Sequence, residues 1–266
     1  MTVFASLPIT VGSSIVSEWI GLKDLVRLGS ACNSHLARSA FLCYCKAGTL
    51  STYFVNIQSM EQIRWFINRK LKFRKLGISL LVWQEGIENS LRELLDSVGS
   101  HVKEIKISHR YESPLSSMQF LSLHTLIAEK CINMKKAKIM GPNTDVEIAP
   151  LLCGWKSIQV VDISCCSVTS AICYIMVNIC KQLQCLTLFC NLDICDSGIT
   201  ALAGKCPELE ELHIIDSARV TCRGLISLIK TTPKLSILSI QITDLTDIDT
   251  CHFQNFQNTP RSLIRW

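Results

Sequence analysis

Six histidines (His35, His101, His109, His124, His213 and His252) and fifteen cysteines stand in a chain of 266 residues. These are the residue types that serve acid–base catalysis, nucleophilic attack and metal binding. Their spacing supports none of these. The histidines are scattered, and no two stand at ligand spacing. Cys43-x-Cys45 and the adjacent pair Cys165-Cys166 lack the x2–4 separation of a zinc site. The chain has no G-x-S-x-G elbow, no phosphate-cradling glycine loop and no H-E-x-x-H helix. The expectation is a protein that is not an enzyme, with no catalytic residue, no cofactor and no metal ligand.

Composition narrows the class further. Apolar residues make up 48% and charged residues 18%, enough for a large core and too apolar for disorder. The net charge of +5, from 27 basic and 22 acidic residues, is spread along the chain. Nucleic-acid binding draws on clustered basic contacts, so it is not expected. The most apolar run, residues 168–180, is shorter than the roughly 20 residues a spanning helix needs and carries Thr169, Ser170 and Asn178. No membrane span is expected. No Lys or Arg precedes the first apolar residues, so no secretory signal is expected either. An odd cysteine count in such a chain reads as reduced thiols acting as small hydrophobes, in a cytoplasmic or nuclear protein.

What organises the chain is repetition. Cys180, Leu183, Leu186, Leu188, Asn191, Gly198 and Leu202 form one unit. Cys206, Leu209, Leu212, Ile214, Gly224 and Leu228 repeat it 26 residues later. Leu235, Leu238 and Ile240 begin a third copy, with Pro233 in the place of the cysteine. Backwards, Ile158, Val161, Ile163 and Cys166 lie 25 residues before their counterparts. Looser copies run through Met134, Ala137 and Ile139, then Val102, Ile105 and Ile107, then Phe73, Leu76 and Ile78, with Tyr53, Val55 and Ile57 as a degenerate first strand. Thr259-Pro260-Arg261-Ser262-Leu263 echoes Thr232-Pro233-Lys234-Leu235, as a repeat barely begun.

The physics of the unit is direct. L-x-x-L-x-L is a short strand whose alternate side chains point inward. The Asn or Cys three residues on turns the chain and offers its side chain to backbone groups. G-[IL]-x-x-L then continues as a helix facing the strand. One unit cannot bury its apolar face alone, so the units must stack.

This pattern resembles the cysteine-containing leucine-rich repeats, C-x-x-L-x-x-L-x-L-x-x-C/N followed by I-T-D-x-G-[IL]-x-x-L. Asp196-Ser197-Gly198-Ile199 stands at D-x-G-[IL]; Cys222-Arg223-Gly224-Leu225 departs from it. The resemblance implies an α/β leucine-rich-repeat solenoid, a horseshoe, over residues 46–266, with about seven repeats, irregular before residue 155.

Residues 1–45 do not fit the repeat. Leu7-Pro8 opens a short helix, in which Ile15, Val16, Trp19 and Ile20 share a face. Leu22-Lys23-Asp24-Leu25 begins a second helix, and Leu36 and Phe41-Leu42 a third element. The order resembles an F-box: Leu7-Pro8 matches its opening, and Leu22-Lys23-Asp24-Leu25, Leu28 and Ala31-Cys32 its middle. Ile9 stands where the family has an acidic residue, and the family's tryptophan after the cysteine is absent. A second reading makes these helices a cap on the first repeat, since an exposed end strand invites aggregation.

The F-box resemblance implies a substrate receptor of a Skp–cullin–F-box ubiquitin ligase, with a Skp-family adaptor and a cullin scaffold as partners. Leu7, Pro8, Ile15, Leu22, Leu25 and Leu28 would bind the adaptor. The target protein would lie on the outward strand positions, for which Lys106, Lys138, Asp162, Phe189, Glu211, His213 and Ile215 are the candidates. The alternative is a repeat scaffold or inhibitor unrelated to ubiquitin; a third reading is a chain lacking its C-terminal repeats, unless residues 243–258 form an atypical last turn instead.

Overall fold

The computed structural model describes residues 6–16, 22–32, 34–50, 55–57, 59–79, 86–109, 115–216, 219–241 and 263–265. Tyr53, residues 17–21 and the expected turn at 243–258 lie outside them, as do the side chains of Leu22 and Leu25. The chain forms two compact units: residues 1–105 with 130–133, and residues 106–129 with 134–266. The expected boundary after residue 45 falls inside the first. No helix of the described residues is long and apolar enough to cross a membrane.

The first unit opens with three helices, α1 (Ile9–Ser14), α2 (Leu22–Ala31) and α3 (His35–Ala47). Pro8 caps α1, where its missing N–H costs nothing. Ser34 caps α3, its hydroxyl accepting from the Ala37 N–H at 3.1 Å. The Tyr44 hydroxyl of α3 donates to the Leu7 carbonyl at 2.7 Å. A Cβ at residue 12 would lie 2.5 Å from the Tyr44 ring, so glycine there lets α1 settle on α3. Then follow β1 (Thr49–Leu50), β2 (Val55–Ile57), α4 (Met60–Arg69), β3 (Lys72–Phe73), β4 (Lys75–Ser79) and α5 (Ile87–Val98). Strands β1 and β3 pair in parallel, as do β2 and β4, with Val55 opposite Leu76 and Ile57 opposite Ile78. Phe73, Leu76 and Ile78 are buried as the repeat predicts. Gly77, an outward strand position, is buried too, because Asn56 lies over it.

Strand β5 (Glu104–Ser108) leads to α6 (Ser117–Lys130), β6 (Lys136–Met140), α7 (Asp145–Gly154), β7 (Val160–Ser164), α8 (Ala171–Ile179), β8 (Cys185–Phe189), α9 (Asp196–Leu202), β9 (Glu211–Ile215), α10 (Cys222–Thr231), β10 (Ile237–Gln241) and β11 (Leu263–Arg265). In the second unit β6 through β11 pair in parallel, each with the next. Register follows the sequence repeat: Ala137 faces Val161, Val161 faces Leu186, Leu186 faces Leu212 and Leu212 faces Leu238. These inward residues are buried, together with Ile199, Leu202, Leu225 and Leu228 on the helices. Burying each Val, Leu or Ile among them stabilises the fold by roughly 1.5–3 kcal/mol.

Two details of the repeat differ from expectation. Thr232, not Pro233, takes the place of the cysteine. Its N–H bonds to the Leu228 carbonyl and its carbonyl accepts from Leu235, as Cys206 does with Leu202 and Leu209. Leu263 lies opposite Ile237, not Leu235, so the terminal echo is out of register with the pairing that forms.

The polar turn after β8 is built as predicted, with a feature the sequence does not advertise. Asn191 is fully buried and bonds backbone groups on both sides of it. The residue directly after each of β6, β7, β8 and β9 takes a left-handed conformation: Gly141 (φ 109), Cys165 (φ 54), Cys190 (φ 53) and Asp216 (φ 53).

Candidate functional site

Side chains alternate along a strand, so residues flanking the buried pair of each repeat face outward. Parallel register lines them up in three rows across the second unit. One runs Lys136, Val160, Cys185, Glu211, Ile237. The second runs Lys138, Asp162, Thr187, His213, Ser239. The third runs Met140, Ser164, Phe189, Ile215. Neighbouring strands stand about 4.8 Å apart, so residues adjacent in a row are within reach of one another.

The candidates chosen from sequence on these strands do share one face. Lys138 pairs with Asp162 at 2.5 Å, and the Ser164 hydroxyl donates to the other Asp162 oxygen. Asp162 is therefore engaged within the chain and Ser164 is buried beside it, so neither projects as a free contact. Phe189 lies opposite Ile215, and both are half-buried. With Met140 they make the third row the more apolar edge of the face. Met140 and Ile237 were not picked from sequence, although alternation from Ile139 and Leu238 places both outward. Lys106 is half-buried on β5.

Glu211 and His213 lie two residues apart on β9, with Oε2 to Nε2 at 3.5 Å. Cys185 stands directly opposite Glu211 on β8. Ligand atoms of these three residues lie within 4.8 Å of one another, the one grouping of this kind among the described residues. Burial pushes the Cys185 thiol up to about 11, and the Glu211 and Asp162 carboxylates add to the shift. Sequence reasoning places Cys185 outward but does not group it with Glu211 and His213, because these partners come from the next repeat.

In the first unit, Leu7, Ile15 and Leu28 of the expected adaptor set are half-buried and Pro8 is exposed. Side chains of Leu22 and Leu25 lie outside the described residues. Ile9 and Val11, which stand where the sequence departs from the F-box pattern, are 57% and 45% exposed, and Leu36 of α3 is 75% exposed.

No protein-family model matches the chain, and no curated protein matches its sequence. Among solved structures, a chain of the Rad7–Elc1 complex of yeast is similar at 11% identity, with 99% of this chain and 91% of that chain covered and a TM-score of 0.30. A chain of an octameric complex of Latrophilin 3, Unc5D and the leucine-rich-repeat protein FLRT2 is similar at 11% identity, covering 82% of each, with a TM-score of 0.38.

Proposed function

We propose that the chain is a leucine-rich-repeat solenoid that binds another protein on the outward face of its strands and breaks no bond itself. The observation that carries this reading is the register of the second unit. Five successive five-residue strands bring polar, charged and apolar side chains from separate repeats into continuous rows. An apolar edge at Phe189 and Ile215, beside a polar row that carries the Lys138–Asp162 pair and His213, has the make-up of a protein-binding surface.

The finer reading is a substrate receptor of a Skp–cullin–F-box ubiquitin ligase. It rests on the sequence resemblance of residues 7–42 and is consistent with helices α1, α2 and α3 and with the exposed apolar side chains of Ile9, Val11 and Leu36. In this reading the first helices dock on a Skp-family adaptor, and the repeats hold the target for ubiquitin transfer.

The test is binding of the purified chain to a Skp-family adaptor, beside a Leu22→Asp/Leu25→Asp variant with an unchanged circular dichroism spectrum. Binding by the parent and loss in the variant supports the receptor reading. No binding by the folded parent overturns it and leaves a repeat scaffold whose first helices act as a cap.

A further inference from the structure

We propose that Cys185, Glu211 and His213 form a zinc(II) site on the outward face, with water as the fourth ligand. The geometry comes first. Zinc binds thiolate sulfur at about 2.3 Å and imidazole nitrogen or carboxylate oxygen at about 2.0–2.2 Å, so the edges of its tetrahedron are about 3.3–3.7 Å long. The Glu211–His213 edge is already 3.5 Å. Every pair of the three ligand atoms lies within 4.8 Å, so the remaining edges must shorten by no more than about 1.5 Å to reach those of the tetrahedron.

The chemistry of the set selects the ion. One thiolate, one imidazole and one carboxylate is a mixed S, N, O donor set suited to zinc, whereas calcium and magnesium take oxygen ligands. Asp162 on β7 places a further carboxylate beside Cys185, while pairing with Lys138 itself. On binding, the thiol proton leaves to solvent and the sulfur's electron pair goes to zinc; no oxidation occurs. All three residues are half-buried, so the ion enters from solvent and the fourth position remains open to water.

This site is independent of the adaptor reading, since it lies wholly on β8 and β9. It escapes the usual sequence patterns because only Glu211 and His213 are close along the chain, and Cys185 arrives from the preceding repeat.

Cobalt(II), a spectroscopic stand-in for zinc, tests it on the full, reduced chain after chelator treatment. One equivalent is expected to produce a thiolate-to-cobalt charge-transfer band and intense tetrahedral d–d bands, both abolished when zinc displaces it. Cys185→Ser should remove the charge-transfer band, and His213→Ala should weaken binding by more than the about 10–100-fold typical of losing an outer partner. Glu211→Gln, which keeps the side-chain shape, gives a second check should either variant fail to fold. Absence of the bands in the parent overturns the site. So does a band of undiminished intensity in folded Cys185→Ser, which would assign the metal to another of the fifteen cysteines.

Discussion

The side-chain amide of Asn191 donates to the carbonyl of Ile163, one repeat away, at 2.9 Å. The same nitrogen reaches the Phe189 carbonyl at 3.2 Å, and its oxygen accepts from the Cys166 N–H at 3.2 Å. One fully buried side chain thus satisfies three backbone groups where the chain leaves its strand. Leaving buried backbone groups unpaired costs roughly 1–3 kcal/mol each. The Phe189 carbonyl keeps its bond from the Cys165 N–H, so at most two groups lose a partner, and Asn191→Ala should destabilise the chain by about 2 kcal/mol or more in urea unfolding. Asn178→Ala, which removes one exposed bond to Tyr174, should stay within about 0.5 kcal/mol. Equal effects would remove the turn asparagine from its structural role.

Gly141 supplies a second test, at the turn after β6. Its φ of 109° is closed to side chains, and a Cβ there would lie 2.4 Å from the His109 carbonyl oxygen. Gly141→Ala should cost at least about 2 kcal/mol. Gly204, at φ 69°, has only Thr231 near, at 3.7 Å, so Gly204→Ala should cost about 1 kcal/mol. Thermal midpoints of the two variants check the order, and its reversal would contradict the described turn.

Acid should weaken the second unit through two histidines. His109 is buried against Phe120, with ring centroids 4.3 Å apart and neither ring nitrogen bonded. Burial lowers its pKa to about 4, and the neighbouring His124 adds to the shift. Burial lowers His124 as well, against its bond to the Glu147 carbonyl at 2.8 Å. An unfolded chain takes up these protons near pH 6.5, and the folded chain holds His109 neutral until about pH 4. Stability is then complete above pH 6.5 and lost as pH falls through that window, by about 2–3 kcal/mol for His109. Urea midpoints at pH 7.5 and 4.5 should differ less in His109→Phe than in the parent. An unchanged difference would acquit His109.

Thiol reactivity should divide the cysteines. Cys195, half-exposed before α9, is lowered to about 7 by the Ser170 hydroxyl first, then by Ser197. Cys173 and Cys180 are buried and pushed up to about 12 by that burial. Thiolate is the nucleophile, so iodoacetamide at pH 7 should label Cys195 before the exposed Cys153, and Cys173 and Cys180 only on unfolding. Peptide mass spectrometry reads the order; Cys153 labelling first would refute it.

Much of this was legible in the sequence. Spacing of Leu186, Leu212 and Leu238 by 26 residues is the register of β8, β9 and β10. Burial forces that match, since a slip of one residue would turn every apolar side chain outward. Other features were not legible. Cys165, Cys190 and Asp216 adopt left-handed backbone without being glycine, held by hydrogen bonds such as Cys165 N–H to Phe189 carbonyl at 2.7 Å. Thr232 replaces a cysteine because the site needs a small buried side chain, and the more conspicuous Pro233 drew the alignment one residue off. Engagement of Asp162 by Lys138, and the meeting of Cys185 with Glu211, depend on strands brought side by side by stacking.

The strand-to-strand interval lengthens from 24 residues between Ala137 and Val161, to 25 between Val161 and Leu186, to 26 thereafter, yet facing residues stay aligned. All of these strands have five residues, so the surplus is taken up in the stretch that returns each strand's end to the start of the next. Insertion and deletion are thereby confined to that return path. A lineage can gain or lose residues there while the pattern displayed across the strands is inherited intact, and single substitutions can rewrite that pattern without disturbing the spacing.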